Sequence, residues 1–577
     1  MGKLFNTAFA SARDGIAFIA NAISKRLNVS SGSFPSGAHV LALFIFIFVA
    51  RLLWIVFTYP YSSYGELEEQ LLELTTANNF VKYGFLKTVF LPDYVSSSIL
   101  ADHPVVYTHM PPLASVIIAL LLKAHMGAFG IRLVLISVNT VGLYYGYLFF
   151  KKIFNARVGF VTILLLSLNF KQSFEWSDHI DYCWVWFFLF GAAYHFINFA
   201  SKNDEPIKKH ETILFFLIVL LTSLTSYVIL LTQIVLLVLF YLFNIARPKT
   251  RYIGVLIGAI FLGVSLHLLQ NLIYLGAPTF LQEITLTLKN KIIGKPSFFE
   301  LTSYYYEHNI VNWASAGFDM KVYVKELYGN VKEQLLFGGG YGWIISAFLL
   351  YFAGYNIKNH YKEFIYFWKV MFTFFCAVIS WDIAFPAHGQ TYFLPICGWG
   401  VIPAIVMGVT CVLSIESIRQ ENRLWKTMIT FLLVIMLLTP VFESMKRSAS
   451  SAYKDIRRSE YNRLSNLTKY SDEVIWANMP SVYVSYFTKS VVAGRCNVEA
   501  IKKMDLSFCA NVWINSKSLK SIELLKKPTL FVYSKNYLSG DMRGSTPEHL
   551  ETLPAYLGQN FHLIEKIDNV MIYKIAY

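Results

Sequence analysis

Long apolar runs, each closed by a short charged gap, repeat along the 577-residue chain. Runs of this length with charges confined between them predict membrane-spanning helices rather than buried core helices. Eleven such spans are predicted, at 39–58, 130–150, 157–173, 182–200, 211–227, 229–246, 252–274, 340–356, 364–383, 391–414 and 425–441. A twelfth apolar segment, "PLASVIIALLLKAHMG" near 112–127, is shorter and ends in polar residues.

Its placement is decided by the basic residues. The gaps Lys151–Lys152–Arg157, Lys202–Lys209, Arg247–Arg251, Lys358–Lys362 and Arg419–Lys426 are basic, and so is the N-terminus. If 112–127 crossed the membrane, these gaps would lie opposite the N-terminus, against the preference of Lys and Arg for the cytoplasmic side. If it lies instead as a short helix against the outer surface, every basic gap becomes cytoplasmic. The second arrangement is expected. It sends the acidic stretch 59–85, the segment "FKQSFEWSDHID" and the loop 275–339 outward.

Two ends of the chain read differently from its middle. In "GKLFNTAFASARDGIAFIANAISKRL", Leu4, Phe5, Ala8, Phe9, Ile16, Ile19 and Ile23 share a helical face while Lys3, Arg13, Lys25 and Arg26 lie elsewhere. This predicts an interfacial amphipathic helix within 1–37 on the cytoplasmic side, not a cleavable signal. Beyond 442, short runs such as "SVYVSYF", "TLFVYS" and "NVMIYKIAY" alternate with charged helical pieces. Residues 443–577 therefore read as a small extracytoplasmic α/β domain. The whole is expected to be a polytopic α-helical membrane protein of about 11 transmembrane helices, with a transmembrane domain at 38–442 whose outer loops are 59–129 and 275–339.

Composition sharpens this picture. The chain is 55% hydrophobic and 15% charged, where ordinary globular domains carry about 25% charged residues. Its net charge of +14 is spread over short gaps with no basic-aromatic module. That excludes nucleic acid as the expected partner in favour of membrane lipids. Cys183, Cys376, Cys397 and Cys411 fall in or beside apolar runs and read as packing residues, while Cys496 and Cys509 lie in the polar C-terminal region, where a disulfide is an open alternative.

Four outward constellations carry candidate chemistry. The first is "YPYSSYGELEEQLLELTTANNFVKYGF", which gathers Glu66, Glu68, Glu69 and Glu73 where the chain leaves a span. The second is "YTHMPPL", whose Pro-Pro pair can start a helix but not continue one; His109, with His103 nearby, can then donate to a phosphate or bind a metal. The third is "FEWSDHIDYCWVWFF". Asp178 and Asp181 are three apart and share a helical face at the lip of a span, where an ionisable group is costly unless it meets a wet cavity. The fourth is "WDIAFPAHGQTYFLP", with His388 and Tyr392 in a short outer loop. In the long loop 275–339, Lys289, Lys291 and Lys295 can grip a phosphate, or snorkel at the surface, and Gly338, Gly339 and Gly340 can provide a hinge.

In this order and sidedness, these elements resemble the GT-C superfamily of membrane glycosyltransferases, in its protein O-mannosyltransferase and lipid A aminoarabinose transferase branch. The family's first outer loop opens with an acidic pair and closes with an Ala-x-Asn and Gly pattern; "TANNFVKYGF" supplies Ala77, Asn79 and Gly84. Counting back without a gap places Glu69 and Gln70 at the acidic pair, with Glu66 and Glu68 as neighbouring alternatives. The family's Pro-Pro element resembles His109-Met110-Pro111-Pro112-Leu113. "WSDHID" puts Asp181 at the family aspartate without the family's upstream arginine, and "HGQTYFLP" carries over His388 and Tyr392. The resemblance covers roughly 39–415 and the general shape of the C-terminal domain.

What the resemblance implies is transfer of a sugar from a polyprenyl-phosphate donor to a lipid, glycan or protein acceptor at the outer face of the membrane, by single displacement with inversion. Glu69, Glu66 or Glu68 would be the base and Asp181 would position the acceptor or share that role. His103, His109, Asp178, Lys289, Lys291, His388 and Tyr392 would contact phosphate or sugar. No cofactor is required by these residues, and a divalent metal is an open alternative. A bacterial inner membrane with a periplasmic site is the expected setting. The rival readings are a polyprenyl-linked glycan polymerase or ligase and a lipid-linked sugar transporter. The first usually relies on arginines that these outer loops lack, and the second on charges in mid-span, where Arg51 is the main example.

Overall fold

The computed structural model describes residues 35–58, 67–93, 102, 104–168, 177–180, 182–201, 208–292, 319–325, 328, 361–385, 402, 404–409, 412, 469–470, 472–477, 491–495, 529–534, 555–567 and 570–575. Its helices follow the apolar runs: α1 (Gly37–Thr58), α2 (Leu67–Tyr83), α3 (Leu113–Lys123), α4 (Ala128–Ile153), α5 (Ala156–Leu168), α6 (Val185–Ser201), α7 (Lys209–Ser223), α8 (Tyr227–Leu242), α9 (Thr250–Leu275), α10 (Ala277–Ile292) and α11 (Tyr361–Ala384). Among the described residues, α1, α4, α9 and α11 are long and apolar enough to cross a membrane. The expected spans at 340–356 and 425–441, the N-terminal helix and Gly338–Gly340 lie outside the described residues, as do Cys397, Cys411, Cys496 and Cys509.

Helix α3 is short, as expected for the segment near 112–127. It begins directly after Pro111–Pro112 and runs for 11 residues, about 16 Å at 1.5 Å per residue. A bilayer core of roughly 30 Å is beyond its reach. It packs on α2, so the segment near 112–127 forms a short helix against its neighbour rather than a span.

The bundle closes around α4, which packs against α6, α5 and α1; α6 in turn meets α7 and α8, α9 packs on α7, and α11 on α8. Its core is aromatic where α4, α6, α8 and α11 converge. The Phe149 and Phe240 rings stack at 5.9 Å, Phe150 meets Phe190 edge-on at 5.4 Å, and Phe374 closes on both Phe149 and Phe240. Such pairs add to area burial through ring geometry. Neighbours approach closely at Gly142 and Gly146, four apart on α4: the α6 backbone at the first and side chains at the second. A Cβ at Gly142 would lie 2.3 Å from the backbone nitrogen of Phe187, and one at Gly146 would lie 2.8 Å from the Phe190 ring. Small residues at such spacing are how membrane helices gain contact when apolar burial alone offers little.

The C-terminal strands β1 (Val474–Ala477), β2 (Val491–Arg495), β3 (Leu530–Ser534), β4 (His562–Ile567) and β5 (Val570–Lys574) form one sheet of order β2-β1-β3-β5-β4. β1 pairs parallel with β2 and β3, while β5 pairs antiparallel with β3 and β4. Parallel neighbours need a crossover connection, so this mixed sheet fits the alternation of strand and helical runs in the sequence.

Replacing Gly142 by Ala is expected to lower thermal stability in detergent, at a cost of about 1–3 kcal/mol, because the methyl meets rigid backbone. Gly254→Ala, where nothing lies within 4 Å of the new carbon, serves as the control. Equal melting temperatures for the two variants would refute the close-approach account.

Candidate functional site

Direct bonds bring one set of helix ends together. The Leu113 N–H donates to the Leu224 carbonyl in the α7–α8 turn at 3.0 Å. Arg132 in the first turns of α4 donates to the carbonyl of Ile55 near the end of α1, at 3.4 Å, and to the Asp178 carboxylate before α6. Asn271 near the end of α9 donates to the Thr108 carbonyl at 3.0 Å. The basic residues gather at the other end. There Lys152 donates to Asn198 and, at 2.7 Å, to Ser201, and Asn198 donates to Glu211 at 3.0 Å.

At the first end, the carboxylates of Asp178, Glu73 and Glu283 are buried and bond other elements; Asp93 and Asp382 are likewise buried among the described residues. Asp178 is 2% exposed and bonded to Arg132, with Oδ1 lacking a hydrogen-bond partner among the described residues. Burial pushes its pKa up from the ordinary carboxylate range, opposed by the charge and hydrogen bond of Arg132 and the more distant charge of Arg51. Arg51 on α1 is itself buried and donates to Thr140 Oγ1 at 2.9 Å. Asn139, one residue before, donates to the Cys183 carbonyl at 3.0 Å and fixes the entry to α6. Cys183 is buried, as its packing role requires.

Glu73 on α2 accepts from Ser115 on α3, which ties these two helices together through buried polar atoms. The rest of the Ala77–Asn79–Gly84 pattern has a local explanation. Ala77 is fully buried, while Thr76 and Asn79 donate to the Asp93 carbonyl at 3.2 and 2.9 Å. Gly84 ends α2 with φ +90°, a conformation that costs glycine nothing. Beyond it, Val89 and Phe90 also hold positive φ, at 53° and 65°. That strain is balanced by bonds from Phe90 N to the Phe85 carbonyl at 2.8 Å and from Thr88 Oγ1 to the Leu91 carbonyl at 2.8 Å. The turn 84–93 is thus held under α2 by its own asparagine.

The third carboxylate is Glu283 on α10. His109 Nε2 lies 3.1 Å from its Oε1, with the two side chains 2% and 4% exposed. Thr108 Oγ1 and Thr287 Oγ1 donate to the same oxygen at 2.7 and 3.1 Å. His109 therefore faces a carboxylate in the protein interior, and its ring also packs beside Tyr107 at 5.3 Å.

The remaining candidates divide by position. Glu68 and Glu69 lie in the first turn of α2, with Glu69 one turn before Glu73, and Lys289 stands exposed on α10 two residues before Lys291. The side chains of Glu68, Glu69 and Lys291, and the whole of Glu66, His103, Asp181, His388 and Tyr392, lie outside the described residues. Among the described residues no three His, Cys, Asp or Glu side chains cluster as metal ligands. Sequence reasoning missed Arg132 and Glu283, and treated Glu73 only as one of a cluster. Arg132 had one available signal, a charge within a predicted span.

No family model matches the sequence, and no curated protein matches it. Solved structures do. The apo structure of ArnT from Cupriavidus metallidurans superposes with a TM-score of 0.50 at 12% identity, covering 93% of this chain and 98% of that one. The structure of ArnT bound to undecaprenyl phosphate gives the same values. The apo oligosaccharyltransferase of Archaeoglobus fulgidus gives 0.51 at 11% identity, over 92% of this chain and 73% of that one.

If the Arg132–Asp178 pair holds the helix ends together, Arg132→Met should leave a buried carboxylate and cost about 3–5 kcal/mol at neutral pH. Because burial alone then raises the folded-state pKa of Asp178, that cost should shrink as pH falls and the carboxyl takes up its proton. Adding Asp178→Asn should recover most of the loss. Melting temperatures of the three variants between about pH 4 and 8 check this; a pH-independent loss would contradict it. With these helix ends joined as described and ArnT and the oligosaccharyltransferase superposing over nine-tenths of its length, the chain has the fold of the GT-C membrane glycosyltransferases.

Proposed function

We propose that this protein is a glycosyltransferase that moves a sugar from a polyprenyl-phosphate-linked donor to a lipid, glycan or protein acceptor. The reading places the site at the outer face of a bacterial inner membrane, towards the periplasm. The observation that carries it is the gathering of the acidic helix α2, the Pro-Pro turn with His109 and the Arg132–Asp178 pair at one end of a bundle with the GT-C fold. ArnT has been solved with undecaprenyl phosphate bound, and a lipid-phosphate donor suits the lysines at the same end of this chain.

In this reading a glutamate of the acidic stretch takes the proton from the acceptor hydroxyl. Glu69 holds that role, with Glu66 and Glu68 as alternatives. The acceptor oxygen attacks the anomeric carbon opposite the phosphate. The carbon–oxygen bond to phosphate breaks with its electron pair, and the configuration inverts, by analogy with the fold. Negative charge grows on the leaving phosphate, which needs cationic or donor groups held ready for it; Lys289, Lys291, His103, His388 and Tyr392 supply them. Asp181 positions the acceptor. Asp178 is committed to Arg132 and shapes the site from behind, and His109, enclosed against Glu283, serves the phosphate region by fixing the turn that carries it. A divalent metal, if used, would draw on the glutamates of the acidic stretch.

The test supplies the purified protein with undecaprenyl-phosphate-linked pentoses and hexoses, with a membrane extract as acceptor source, and follows release of undecaprenyl phosphate. Release is expected with at least one donor, and Glu69→Gln should lower the rate by about 10²–10⁴ while donor binding persists. No release from any donor, or full activity in each of Glu66→Gln, Glu68→Gln and Glu69→Gln, would overturn the reading.

A further inference from the structure

Helix α10 is attached in an unusual way. It follows α9 across the single residue Gly276, at φ +74°. Leu281, Leu288 and Ile292 stand exposed on it, and none of its apolar residues joins the buried core cluster of the described bundle. Its buried foothold is Glu283, 3% exposed, where one carboxylate oxygen meets His109 Nε2 at 3.1 Å, Thr108 Oγ1 at 2.7 Å and Thr287 Oγ1 at 3.1 Å. Thr108 is fastened in turn from the other side, its carbonyl accepting from Asn271 on α9 at 3.0 Å. An oxygen accepting from several donors is the arrangement expected of an ionised carboxylate, and charge-assisted bonds are the stronger kind. Among the described residues, Glu283 is the buried side chain that ties this helix to the turn before Pro111.

We infer that Glu283 is a positioning residue of the donor subsite: it clamps α10, and with it Lys289, onto the turn that precedes Pro111–Pro112. Lys289 is exposed and lies six residues beyond Glu283 on the same helix. Its distance from a phosphate at the membrane surface is therefore set by where Glu283 pins the helix. The inference rests on the transferase reading for the identity of the donor, but the clamp itself does not.

The experiment uses the full chain in nanodiscs, with undecaprenyl phosphate as probe and undecaprenol as the control that lacks the phosphate. Glu283→Ala is expected to speed hydrogen exchange in 277–292 and 104–112 together and to weaken undecaprenyl phosphate binding about 10-fold, the worth of roughly one charge-assisted bond. Glu283→Gln keeps one acceptor oxygen but loses the charge, so it should restore only part of both; full restoration would overturn charge-assisted bonding as the source of the grip. Thr287→Val removes one donor and no charge, so it should shift both readings the same way by a few-fold even if Glu283→Ala fails to fold. Unchanged exchange in both segments overturns the clamp. Loosened exchange with unchanged binding overturns the role in donor positioning. If wild-type protein binds neither lipid, the transferase reading fails on its own account, and the exchange data still decide the clamp.

Discussion

A polar group carried into an apolar bundle must find its partner inside the protein, since no water waits there to bond it. At one end of this molecule that requirement is met between elements far apart in sequence: Arg132 with Asp178, Ser115 with Glu73, and Thr108 and His109 with Glu283. Each pair costs the fold dearly if one member is lost, because the other remains buried and unpaired. These bonds therefore act as fixed points. Arg132 also reaches the Ile55 carbonyl of α1, Asn271 of α9 bonds the turn before α3, and Glu73 and Glu283 tie α2 to α3 and α10 to that turn.

The opposite end is built on a different principle. Lys152, Asn198, Ser201 and Glu211 bond one another near the helix ends, where long side chains reach solvent or head groups. Charge there reports sidedness and asks little of packing. Between the two ends the bundle is aromatic and closely approached at Gly142 and Gly146.

The helix positions were legible because hydropathy is a property of contiguous residues: eight of the eleven expected spans coincide with described helices, of which α1, α4, α9 and α11 are long and apolar enough to cross a membrane. The short helix Leu113–Lys123 was legible for a subtler reason, since Pro111–Pro112 starts it and the basic gaps deny it a crossing. Glu283 was not. It lies 175 residues from Thr108, in a loop whose lysines drew attention by their charge, and nothing local marks it as the buried member. The same holds for Arg132, which pairs with Asp178 across 46 residues and from another element, α4.

Partners so far apart in sequence are placed by the fold, which this chain shares with a solved structure at 12% identity. What the fold must supply is a polar partner at a place in space, and any helix that passes the place can carry it. Asp178 needs a guanidinium at its carboxylate; α4 provides one from its first turns just as a neighbouring residue would. The turn before Pro111 needs an acceptor for Thr108 and His109, and a helix following α9 provides it. Motifs read along the chain then capture only those partners that happen to be near in sequence. The acidic stretch and the Pro-Pro turn are of that kind, and so they were found first; the residues that hold them in place are found only once the chain is folded.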